Sequence, residues 1–143
     1  MKPIIRILTF LFLFAIVMSL FACKSNNEPN AADIDYGVST KFTQADIKMA
    51  AAVVLTKFED FVGCELKRLW YDEEQSNQRI GEYWKYMDGL VHEENIIIFF
   101  SDFYVDSSGK NPTLTPESTY TDWCWILIRD SDGDKWIVHD WGY

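Results

Sequence analysis

The stretch NIIIFFSDFYV, from Asn95 to Val105, constrains the fold of this chain more than any other segment. It is rich in β-branched and aromatic residues and apolar on both alternating faces, where a strand with one side in water would be apolar on one. It therefore predicts a central strand. Tyr120 to Arg129 repeats the signal, with Trp123, Trp125 and Leu127 on one face and Cys124, Ile126 and Ile128 on the other. Between them, 106–119 reads as a loop containing Gly109, Pro112 and Pro116. Asp132-Gly133 is a hairpin signal, and Lys135 to Trp141 is the last strand of a three-stranded antiparallel meander.

Upstream, Thr43 followed three residues later by Asp46 has the form of a helix cap. Ile47, Ala50, Ala51, Val54, Phe58 and Phe61 then recur at spacings of three and four, giving one apolar face that ends at Gly63. Cys64 to Tyr71 alternates as an edge strand, Leu66 and Trp70 sharing the face of Cys64. A shorter helix follows from Ser76 to Met87, with Ile80, Tyr83, Trp84 and Met87 on one side and Gly81 in its middle, closed by Asp88-Gly89. Helices lying across a curved antiparallel sheet of about four strands make an α+β layer fold. One layer of helices shields one sheet face, so the other must be closed by loop 106–119, by the terminus or by another subunit. A homodimer is the expectation.

The amino-terminal end is an address. Lys2 and Arg6 precede an uncharged run from Ile7 to Phe21, then Leu20-Phe21-Ala22-Cys23 supplies a small residue before a cysteine. That is the form of a bacterial lipoprotein signal, predicting removal of residues 1–22 and lipidation of Cys23. The run is short for a transmembrane helix, which needs about 20 apolar residues. Two or more acyl chains hold a protein to a bilayer where one does not, so the expected location is the extracytoplasmic face of the cell membrane. Residues 23–41 are polar, contain Pro29 and Gly37, and read as a lipidated tether, leaving 42–143 as one domain. After cleavage the 13 basic residues lose Lys2 and Arg6 while all 22 acidic ones stay, a net charge of −11. Such a chain is a poor partner for nucleic acid, and it is held to an anionic membrane by lipid alone.

The order of elements resembles the nuclear transport factor two-like fold, a cone of helices on a bent sheet that is also grouped with cystatin-like folds. The stretches FEDFVGCELKRLWYDEE (58–74), ENIIIFFSDFYVD (94–106) and STYTDWCWILIRDSDGDKWIVHDWGY (118–143) are similar to a family of small Gram-positive cell-surface lipoproteins carrying a domain of unknown function. The resemblance implies a fold and a location; it brings no catalytic residues.

The residues themselves point away from metal and cofactor chemistry. Asp130-Ser131-Asp132-Gly133-Asp134 spaces its carboxylates like the start of a calcium loop, but an EF-hand needs glycine sixth and glutamate twelfth, and here glycine is fourth. It reads as a tight hairpin. Neither His92 nor His139 stands at a metal spacing from another ligand. As neighbours in a strand, His139 and Asp140 should face opposite ways, and His139 should share a face with Ile137 and Trp141. The weak catalytic candidates are His139 as base and Asp102, which interrupts the apolar central strand, as acid; the alternative for Asp102 is a carboxylate satisfied by backbone or by Arg129. Cys64 and Cys124 read as two buried thiols, though pairing is open in an extracytoplasmic chain. Trp70, Trp84, Trp123, Trp125 and Trp141 are candidates for lining a pocket or partner surface. The reading is a lipid-anchored binding or interaction module, its partner an envelope protein or a small ligand. The alternative is a small-molecule carrier or non-metal acid-base enzyme using the cone interior.

Overall fold

The computed structural model describes residues 31–87 and 92–143, and of residues 84–87 the backbone alone. The signal segment, Cys23, the first part of the tether, Asp88-Gly89 and the side chain of Trp84 lie outside the described residues. Five strands, β1 (Asp33–Asp35), β2 (Cys64–Trp70), β3 (Ile96–Val105), β4 (Thr119–Ile128) and β5 (Ile137–Gly142), form one open mixed sheet in chain order. Two helices, α1 (Gln44–Phe58) and α2 (Glu73–Met87), pack on it. The fold is α+β.

β3 is the middle strand, as its two-faced pattern requires, and β2 to β5 are antiparallel throughout. β1 pairs parallel with β2, so β2 is an inner strand and the edge lies within the stretch expected to be tether. α1 begins with a reciprocal cap: the Asp46 amide donates to Thr43 Oγ1 at 3.1 Å while the Thr43 amide donates to Asp46 Oδ2 at 3.1 Å. Its buried face is Ile47, Ala50, Ala51, Val54 and Phe58. Phe61 lies past the helix end yet still stacks on Phe58 at 5.4 Å.

The helices take opposite faces of the sheet. α1 covers Ile97, Phe99, Phe103, Trp125 and Leu127, whereas Ile80 of α2 packs with Ile96, Ile98, Phe100, Cys124 and Ile126. The face expected to be closed by loop 106–119, by the terminus or by another subunit thus carries α2. Packing is complete at the centre, where Trp125, Phe99 and Phe103 have no solvent exposure.

Three bulges change which way side chains point. A shift between Leu66 and Arg68 puts Leu69 on the α1 face and Trp70 on the α2 face, away from Cys64, because one extra residue reverses the alternation. A second lies between Ser101 and Phe103. The third, between Ile126 and Leu127 of β4, faces His139 of β5.

Candidate functional site

β5 is an edge of the sheet among the described residues, and three exposed large apolar side chains lie along it or just past its end. Ile137 is 56 % exposed, Trp141 41 % and Tyr143 71 %. On the α2 side a cleft of about 430 Å³ runs between that helix and β5, walled by Arg79, Glu82, Tyr83, Asp140 and Tyr143 over Cys124. On the α1 side a mainly apolar groove of about 580 Å³ is lined by Ala52, Val53, Trp136, Ile137, Val138 and Trp141, with Thr56, Lys57 and Asp60 also in its wall. A second α1-side groove of about 430 Å³ lies between the helix end and loop 110–114, over Trp123. Trp141 borders all three.

Trp141 is held from several directions. Its ring stacks on Trp125 at 6.5 Å and carries the Lys57 ammonium 4.7 Å above it, with Lys57 in turn 2.8 Å from Asp60. Its amide donates to Asp140 Oδ1 at 2.9 Å.

The bulge overturns the expected geometry of His139. One extra residue lets consecutive side chains share a side: Asp140 Oδ2 accepts from the Tyr83 hydroxyl at 3.1 Å, and the His139 ring lies edge-on to Tyr83 at 6.4 Å. Trp141, expected beside His139, stacks on the α1 face with Trp125. Burial pushes the Tyr83 hydroxyl up, and its bond to the Asp140 carboxylate pushes it further, so this tyrosine is a proton donor at neutral pH.

Asp102 does not join this group. Its carboxylate accepts the Asp122 amide at 3.1 Å, and Asp122 holds φ 55°, a left-handed conformation uncommon outside glycine. Asp102 thus secures the second bulge. Neither Asp102 nor His139 lines the α2-side cleft. Arg129, considered as a partner for Asp102, is instead 5 % exposed between the rings of Trp136 and Phe42. It reaches Asp46 at 3.1 Å and Asp132 at 2.8 Å.

The other candidates separate by face. Trp125 is wholly interior and donates to Ser101 Oγ at 2.8 Å, and Trp123 is packed among Phe61, Phe103, Tyr120 and Tyr143. Trp70 stacks on Phe100 at 5.9 Å beneath Arg68. Cys64 and Cys124 are free thiols on opposite faces of the sheet, too badly placed to pair. Burial pushes both thiols up, Arg79 opposing the shift at Cys124. The turn carboxylates are engaged locally, Asp132 by Arg129 and Asp134 by the Ser131 hydroxyl at 2.5 Å. Among the described residues, no group of three His, Cys, Asp or Glu could hold a metal ion, and no helix is long and apolar enough to cross a membrane.

No family model, no curated protein and no solved structure matches this chain.

Proposed function

We propose that the chain is a lipid-anchored extracytoplasmic lipoprotein whose domain, akin to the nuclear transport factor two-like cone, is a binding or interaction module. The anchor rests on Cys23 and the run before it, and the fold kinship on the order of elements. One observation carries the binding role: the exposed aromatic surface is concentrated at one sheet edge, around Trp141. Exposed aromatic patches beside clefts favour partners.

The test is a photo-crosslinking amino acid placed at Trp141 in cells, against the same group at Val38, 82 % exposed by the opposite edge. Adducts at 141 and none at 38 are expected; equal labelling at both would end the reading. For the anchor, Cys23→Ser should leave an uncleaved or unlipidated chain, since serine cannot carry the thioether-linked lipid, and mass spectrometry of the amino terminus decides it.

The acid-base alternative draws on Tyr83 and Asp140 in the α2-side cleft, with Tyr83 as acid and the His139 ring edge-on to Tyr83 outside the cleft wall. It requires Tyr83→Phe to abolish turnover of a bound small molecule without loss of its affinity.

A further inference from the structure

Most strands that end a sheet are blunted, because a row of free backbone groups templates pairing with another chain. Here the two edges differ. β1 has three residues, whereas β5 has six, broken only by the bulge at His139, with no strand on its outer side among the described residues. β5 also stands as a ridge between two unlike depressions, the apolar groove under α1 and the cleft under α2. Side chains of an added strand alternate from face to face, so a guest along β5 would send one set toward each depression.

The geometry points to β5 as a docking edge for an extended peptide segment of a partner protein, added as a sixth strand, with apolar side chains alternating with basic ones. This rests on the binding-module reading and names its partner's chemistry. The apolar set meets Val53, Ile137, Val138 and Trp141 in the α1-side groove. The basic set meets Glu82 and Asp140 in the α2-side cleft, where two carboxylates face the single guanidinium of Arg79, itself 3.2 Å from Glu82. Charge complementarity extends beyond the cleft, since the chain carries a net charge of −9. The Asp140 carboxylate that holds the Trp141 amide is a local stand-in which a guest carbonyl can replace.

The probe is a blocked octapeptide of alternating valine and lysine, titrated against the full chain in a non-ionic detergent, with hydrogen exchange as readout. It should bind and slow amide exchange at 137–142. A block-order peptide, four valines then four lysines, and an alternating valine–glutamate peptide should each bind at least tenfold more weakly. Ile137→Lys, at an exposed site that leaves the core untouched, should weaken the alternating peptide tenfold or more, and Asp140→Asn about threefold. Equal binding of the alternating and block peptides, or binding indifferent to Ile137→Lys, overturns the proposal. So does a doubled mass in light scattering that Ile137→Lys abolishes, because the edge then belongs to a second copy. If the crosslinker at 141 still captures a partner while the alternating peptide neither binds nor competes, the module reading stands and strand addition falls.

Discussion

On the α1 face the sheet is sealed by rings: Phe42, Phe58, Phe99, Phe103, Trp123 and Trp125 form one cluster closed by a helix whose small Ala50 and Ala51 allow close approach. On the α2 face the cluster is smaller and mostly aliphatic, and polar groups enter it. The Ser76 hydroxyl of α2 accepts the Ile98 amide at 3.1 Å, replacing a strand partner where β2 has already ended. Beta-branched and aromatic residues of β3 demand cover on both sides, but the helices answer differently, one by apolar area and the other partly by hydrogen bonding. Stability should therefore rest on the α1 side, leaving the α2 side freer to carry chemistry at its margin.

Trp125→Ala should sharpen the contrast most, costing about 4 kcal/mol through its cavity, against roughly 3 kcal/mol for Trp70→Ala on the opposite face. Denaturant unfolding of the two variants checks this, and equal losses would break the comparison. Next comes Asp46→Asn, which weakens both the α1 cap and the support of buried Arg129, for about 2 to 3 kcal/mol. The Thr43 hydroxyl first, then its amide and Arg129, hold the Asp46 carboxyl below its ordinary value. A depressed carboxylate stabilises the fold at neutral pH and loses that contribution as pH falls through the folded value. Wild-type stability should therefore drop below about pH 4, with a shallower drop in Asp46→Asn. On the α2 face, Ser76→Ala should cost about 1 to 2 kcal/mol by stranding the Ile98 amide, seen as faster exchange at that amide. Smallest, and opposite in sign, Gly81→Ala should stabilise α2 by about 0.5 to 1 kcal/mol, since a Cβ there meets nothing within 4 Å. Thermal melts resolve it.

The regular parts of the fold were legible because they repeat a period. Thr43, Asp46 and the three-and-four spacing of Ile47, Ala50, Val54 and Phe58 specify α1, and the β-branched and aromatic runs of β3 and β4, apolar on both faces, specify the central strands. Bulges carry no such signal. Nothing in the residues around Leu66 to Arg68, or at His139, announces the extra residue that turns Trp70 to the α2 face or brings His139 and Asp140 together at Tyr83. β1 was hidden because DID has one apolar residue in polar surroundings and acquires its pairing only from β2. The side taken by α2 depends on the path of chain after Trp70, which no apolar spacing records. Of the candidate site, the tryptophans were legible as a set, but only their solvent exposure singles out Trp141.

β1 has a mechanical consequence. Its three residues lie along β2 in parallel, and the chain then turns at Gly37, whose φ of 53° and closeness to the Tyr71 carbonyl leave no room for a side chain. Any tension arriving from the residues before Asp33 is taken first by these few bonds, far from the meander. Behind them stand the Tyr71 amide on the Asp35 carbonyl and the Glu73 carboxylate on the Thr40 amide and hydroxyl. The edge can yield like a strain relief on a cable, releasing the span of β1 while Trp141 and its clefts stand at the opposite edge of the sheet.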